Sequence, residues 1–295
     1  MTMKTIIKVQ IIVFFAITLN VGLNAQAYYE WASSSGNSSD ERAQGVCVDD
    51  YGNTYITGTF GATVDFDPGS GTTNLSSNGG YDIYIQKLDA SGNFVWAKSF
   101  GSTQSDGVSS ICLDDNGNVL TTGYFYGTVD FDPGAGTDNH TSVGDQDIFI
   151  QKLDASGNYI WTKTFGGSSE DLGFSIQSDL IGNVYSTGYY MGTADFDPGM
   201  NVNNITSAGA QDIYIQKLDA SGNFVWAKSI GDYSTDQAYS LTVDTLDEIY
   251  FTGVFKETVD FDPGSGTTNI TSQGGFDIFI EKLDKNGHFK WVKTI

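Results

Sequence analysis

The sequence predicts an all-β fold, a β-propeller built of four tandem four-stranded blades, and three observations carry that reading. Asp-Phe-Asp-Pro-Gly recurs at Asp65, Asp130, Asp195 and Asp260, 65 residues apart each time, and these copies hold all four prolines of the 295-residue chain. All five tryptophans keep the same period, at Trp31, Trp96, Trp161, Trp226 and Trp291. Each period divides into four strand-like stretches between turn signals, without helical periodicity. Such tandem units stack so that each covers its neighbour's face.

The elements follow in order. Residues 1–27 read as a signal peptide: Lys4 and Lys8 flank an apolar run reaching Ile17, and Ala25-Gln26-Ala27 supplies the small-x-small cleavage pattern. Thr18, Asn20 and Asn24 interrupt the run before the ~20 apolar residues that a membrane span requires. The expected product is exported, to the medium, the cell surface or the periplasm, with no membrane span after cleavage. Residues 28–35, with Trp31, form an extra N-terminal edge strand. Blades are expected over 36–100, 101–165, 166–230 and 231–295.

In the second blade the expected strands are 109–113, 118–125, 147–153 and 158–163. Asp114-Asp115-Asn116-Gly117 closes the first hairpin and Asp154-Ala155-Ser156-Gly157 the last. Residues 127–144, which contain the Asp-Phe-Asp-Pro-Gly copy, are expected to be a long connection between the second and third strands. They account for a period longer than the ~40 to 50 residues of most propeller blades. The tryptophans are expected to be buried by the next blade in turn. Cys47 and Cys112 lie at equivalent places in successive repeats. Equivalent strands of stacked sheets sit about 10 Å apart, too far for a disulfide. Trp31 and Trp291 both belong to fourth strands, which leaves a closed four-bladed ring with a spare strand, an open arc that associates through its edges, or a piece of a longer array.

The formal charge of −22, with Arg42 as the single arginine, excludes a phosphate-backbone partner. Removing Lys4 and Lys8 with the leader takes −22 to −24. Six positions are acidic in every repeat (Asp106, Asp114, Asp130, Asp132, Asp147 and Asp154 in the second) and hold 24 of the 36 acidic residues. They fall at strand starts and turns, where an aspartate accepts backbone N–H groups. His140 and His288 occupy unrelated places in the unit and read as surface-turn residues. Asn74, Asn139, Asn204 and Asn269 head Asn-x-Ser/Thr triplets that read as polar strand residues. No nucleophile-elbow, zinc-protease, P-loop or Cys-x-x-Cys pattern occurs.

The stretches "DDNGNVLTTGYFYGTVDFDPG" and "DIFIQKLDASGNYIWTKTFGG" resemble the SBBP-type β-propeller repeat of secreted bacterial proteins. The resemblance covers almost all of residues 28–295. It implies a surface or extracellular module and says little about activity.

On an extended strand Asp130 and Asp132 point to one face and Phe131 to the other. The pairs Asp65 with Asp67, Asp130 with Asp132, Asp195 with Asp197 and Asp260 with Asp262 are therefore candidate calcium ligands. The competing reading is a turn, with proline presetting φ and glycine accepting a positive value. No other cofactor is expected. The function expected is a non-catalytic binding or structural module whose partner is an extracellular protein or a glycan. A polysaccharide lyase or glycosidase on the same scaffold, or a calcium-stabilised adhesion module, is the alternative.

Overall fold

The computed structural model describes residues 31, 32, 34, 36 and 39–295. The leader expected over 1–27 lies outside them, as does most of the edge strand expected over 28–35. Every regular element among the described residues is a β-strand. The first repeat holds β1 (Arg42–Val48), β2 (Thr54–Phe60), β3 (Thr63–Asp65), β4 (Asn74–Ser76), β5 (Asp82–Leu88) and β6 (Phe94–Phe100). The second holds β7 (Gly107–Leu113), β8 (Val119–Phe125), β9 (Thr128–Asp130), β10 (Asn139–Thr141), β11 (Asp147–Leu153) and β12 (Tyr159–Gly167). The third holds β13 (Leu172–Ser178), β14 (Val184–Asp195), β15 (Asn204–Leu218) and β16 (Phe224–Ile230). The fourth holds β17 (Gln237–Val243), β18 (Ile249–Phe255), β19 (Thr258–Asp260), β20 (Asn269–Thr271), β21 (Asp277–Leu283) and β22 (Phe289–Thr294).

Each repeat forms a four-stranded antiparallel sheet in which the strands pair in chain order, as in β1-β2-β5-β6. The tight turns fix that order. Asp114 Oδ1 accepts the N–H groups of Asn116 and Asn118 at 2.9 Å, and its Oδ2 accepts Asn118 Nδ2 at 2.8 Å. Asp154 repeats the pattern with Ser156 and Asn158 in the second turn. The acidity of these positions is thus consumed by turn hydrogen bonds, as their placement predicts.

The segment expected to be a plain connection is a hairpin of its own. β9 pairs with β10, Val129 opposite His140, and Thr128 Oγ1 lies 2.8 Å from Thr141 Oγ1. Three-residue strands are too short for alternation to announce them. In the third repeat this hairpin is continuous with β14 and β15. It also pairs with β12 through Gly166 and Gly167, joining the second and third repeats in one eight-stranded sheet.

Three cores lie between successive repeats, and a fourth, of Phe60, Val64, Phe66, Tyr84 and Ala97, lies within the first repeat. Ile83 and Ile85 of β5 enter a cluster built by Val108, Ile111, Phe125, Phe131 and Leu153 of the second repeat. Ile148 and Ile150 do the same against the third repeat, and Ile213 and Ile215 against the fourth. Each such side chain contributes about 1.5–3 kcal/mol on burial. The tryptophans depart from expectation, being half-buried rather than enclosed. Trp96 lies beside Gly157, where an added Cβ would approach the indole to 3.0 Å, and its Nε1 donates to Ala155 O at 3.2 Å. The next repeat covers this ring with a surface turn rather than a strand, so one edge stays wet. Both cysteines are free.

Candidate functional site

The Asp-Phe-Asp-Pro-Gly segments follow one plan in all four copies. Phe131 is fully buried between Phe125, Phe149 and Phe100, with ring centroids 5.2, 5.3 and 5.3 Å away. Asp130 Oδ1 accepts the N–H groups of Asp132 at 3.1 Å and Asp138 at 2.8 Å, while Asp132 Oδ1 accepts that of Gly134 at 2.8 Å. Asp65 with Asp67, Asp195 with Asp197, and Asp260 with Asp262 repeat these bonds. One oxygen of each carboxylate is therefore occupied by its own loop. No group of three or more His, Cys, Asp or Glu side chains converges for a metal among the described residues. Calcium's six to eight oxygens would have to come largely from the backbone here.

Beneath each copy a glutamine ties the loop to the sheet. Gln86, Gln151 and Gln216 donate Nε2 to the carbonyls of Phe66, Phe131 and Phe196 at 2.6, 2.7 and 2.6 Å. The fourth repeat has Glu281 instead, fully buried and with neither carboxylate oxygen hydrogen-bonded. Burial, reinforced by Asp262 and Asp260, holds its pKa well above the usual carboxylate range. A protonated Glu281 could donate where the glutamines do. The substitution is plain in the sequence, but its consequence needs the position's burial.

Each junction between repeats also buries two carboxyls. Asp147 and Asp171 flank Gly166 so closely that a Cβ there would lie 2.7 Å from Asp147 Oδ1 and 2.9 Å from Asp171 Oδ2. Burial pushes Asp147 up to about 6 and Asp171 to about 7, the neighbouring Asp147 adding to the shift of Asp171. Asp82 and Asp212 rise to about 6 and Asp236 to about 7, again chiefly by burial. Repetition at three junctions marks this as part of the scaffold.

Residues that differ between repeats gather elsewhere. β1, β7, β13 and β17, the first strands of the four repeats, lie side by side in that order. One position along them carries Gln44, Ser109, Phe174 and Tyr239, and its neighbour on the second strands carries Thr59, Tyr124, Tyr189 and Val254. Phe174 packs between Tyr189, at 5.4 Å and 65°, and Tyr239, at 5.6 Å and 47°. Tyr239 is 48% exposed and donates its hydroxyl to Gln237 Oε1 at 2.6 Å. At the first junction a cleft of about 360 Å³ is lined by Arg42, Gln44, Tyr81, Asp106, Ser109 and Tyr124. Burial raises the Tyr124 hydroxyl above its usual range, with Tyr126 contributing. The row thus offers aromatic faces, hydroxyls and the chain's one guanidinium. That combination can stack on a sugar ring or clasp a peptide.

A second unit-specific group surrounds His140. Far from a surface turn, it is half-buried on β10, edge-on to Phe131 at 5.7 Å. Its Nδ1 lies 3.0 Å from Thr164 Oγ1 and its Nε2 3.0 Å from Asp138 Oδ2, and Tyr159 donates its hydroxyl to the same carboxylate. The other repeats carry Leu75, Ile205 and Ile270 at the histidine position and phenylalanine at the tyrosine position. The group therefore replaces an apolar plug by a polar one, while also setting a hydroxyl, an imidazole and a carboxylate in line. His288 does sit beside a turn, its side chain 69% exposed and 3.2 Å from Asp284 Oδ2.

No family model matches the chain. It is 26% identical over 252 residues to an uncharacterized WD repeat-containing protein of Acanthamoeba polyphaga mimivirus, covering 76% of this chain and 18% of that protein. It is 25% identical over 179 residues to the regulatory protein FlaEY of Caulobacter vibrioides, covering 58% of this chain and 17% of that protein. The chain thus spans less than a fifth of the length of these curated relatives. A protein of unknown function from Bacteroides caccae aligns in structure over 86% of this chain and 82% of its own, at 7% identity and a TM-score of 0.38.

Proposed function

We propose that the chain is an exported, non-catalytic β-propeller repeat module that binds an extracellular protein or glycan along its first strands. The repeated residues account for turns, junctions and core. The observation that carries the proposal is that residues the repeat does not dictate pair up along neighbouring strands, Arg42 with Tyr124 in one cleft and Phe174 against Tyr239. Exposed aromatic and arginine side chains are enriched where binding energy concentrates. Likeness to a WD repeat-containing protein supports a repeated β fold, and the propeller assignment rests on that together with the stacked four-stranded sheets.

Titration against a panel of oligosaccharides and extracellular peptides tests the proposal. Binding weakened tenfold or more by Phe174→Ala or Arg42→Ala, with an unchanged melting temperature, is the expected result. Binding that ignores both substitutions would refute it. The aligned Asp138, His140 and Thr164 favour a second reading, a hydrolase with Thr164 as nucleophile and His140 as base. Cleavage of a panel glycan that is abolished by His140→Ala would establish that reading and displace the first.

A further inference from the structure

Corresponding polar positions recur at the three junctions between repeats, and they are used differently. At the second junction Gln146 donates to the Tyr126 hydroxyl, and Tyr189 donates its own hydroxyl to Glu170. At the third, Gln237 Nε2 donates to Gln211 Oε1 at 2.5 Å and Gln237 Oε1 accepts from Tyr239. These groups satisfy one another. At the first junction Arg42, Gln44, Tyr81, Ser109 and Tyr124 line the cleft of about 360 Å³, at the small end of the range for ligand pockets. None of these side chains hydrogen-bonds to another described residue, and Arg42 forms no ion pair with one.

A glycine makes the room. Gly107 stands where the other repeats carry Arg42, Leu172 and Gln237, and it pairs with Tyr124. A Cβ at Gly107 would lie 2.4 Å from the Tyr124 ring, so a larger residue displaces that ring. Burial raises the Tyr124 hydroxyl, whereas the charge of Arg42 opposes the shift, so guanidinium and hydroxyl lie within electrostatic reach of each other. Asp106 also lines the cleft, but it is buried and its two oxygens accept the N–H groups of Ser102 and Tyr126.

We infer that the first-junction cleft takes a carboxylated sugar residue, a uronate, of an acidic glycan. The inference rests on the binding proposed along the first strands and gives its ligand class. A planar guanidinium matches a carboxylate with two parallel N–H···O bonds. Arg42 is the one cation in the lining, which suits the single charge of a uronate better than the nearly double charge of a phosphate group. The Gln44 amide and the Tyr81, Ser109 and Tyr124 hydroxyls can each donate to and accept from ring hydroxyls. A uronate carries such hydroxyls on the same ring as its carboxylate, whereas a peptide C-terminus offers one amide beside its own. The net charge of −22 opposes anions at a distance, but beyond about 8 Å that repulsion is screened at physiological ionic strength. The local guanidinium therefore decides the binding of a short acidic chain.

Calorimetric titration of the purified chain with galacturonate and mannuronate trisaccharides, each beside its methyl ester, tests the inference. The ester keeps every ring hydroxyl and loses the charge. At least one acid should bind tenfold or more tighter than its ester. Arg42→Gln should remove that preference, Arg42→Lys should keep part of it, and Gly107→Leu should weaken acid and ester alike by displacing Tyr124. The melting temperatures of both Arg42 variants should match that of the parent, because the side chain holds no bond within the described protein. Equal binding of acid and ester, a preference that survives Arg42→Gln, or binding of neither acid would overturn the inference. If neutral glycans or peptides still bound and depended on Phe174, the wider reading of the first strands would stand without it. Failure of every glycan and peptide to bind would refute both.

Discussion

The second and fourth repeats share one plan and differ in what surrounds it. β11 and β21 have the same register against their neighbours and nearly the same sequence, Asp-Ile-Phe-Ile-Gln-Lys-Leu against Asp-Ile-Phe-Ile-Glu-Lys-Leu. All seven β11 residues are buried, whereas Ile278 and Ile280 of β21 are exposed. Residue type alone therefore does not set the energetic weight of a repeat position. The neighbour that covers it does.

The largest expected effect follows from that contrast. Ile150→Ala removes a side chain enclosed between two repeats and should cost ~2 to 5 kcal/mol. Ile280→Ala, at the same repeat position, should cost about 1 kcal/mol or less. Urea denaturation of the two variants measures the difference, and similar costs would break the comparison.

Glu281 sharpens it from the other side, as a buried defect that the second repeat lacks. Its folded-state pKa is raised, so the folded state holds the proton more tightly than the unfolded chain does. Stability from this group is fully present below the unfolded pKa, near 4.5, and is lost as pH rises through the folded value. Glu281→Gln restores the amide donor to Phe261 O and should stabilise the protein by ~1 to 3 kcal/mol at neutral pH. The gain should shrink towards nothing at pH 4 in paired melts.

The junction carboxyls act in the same direction. Asp147 and Asp171, raised to about 6 and about 7, favour the folded state most below their unfolded values near 3.8. Their contribution declines as pH rises through 6 and 7 and is constant above. The melting temperature should thus be higher at pH 5 than at pH 8, and Asp147→Asn should flatten part of that slope. The smallest effect concerns Asp247, whose φ of 60° occupies the left-handed place filled by Gly52, Gly117 and Gly182 in the other repeats. Asp247→Gly should raise stability by about 1 kcal/mol, a change of a few degrees in the melt.

The repeat made much of this legible. Period, strand order, turn chemistry, the burial of Phe131 and the free cysteines all follow from residues whose spacing states their role. What escaped depended on contacts across repeats or on very short elements. The β9 and β10 hairpin has too few residues to show alternation. Trp96 was expected inside because large apolar rings usually are, yet its partner is a turn with an open edge. His140 looked like a lone surface residue because Tyr159 and Thr164, which complete its group, lie on β12, about twenty residues further on. The aromatic row needed the first strands to be set side by side before Phe174 and Tyr239 could be seen to meet.

Amide hydrogen exchange on the dilute chain tests most directly whether a repeat draws its stability from the neighbour that covers it. Phe279 and Ile280 on β21 should exchange at least about tenfold faster than Phe149 and Ile150 on β11, a gap of ~1.4 kcal/mol in opening free energy. Equal protection of the two strands would contradict the account.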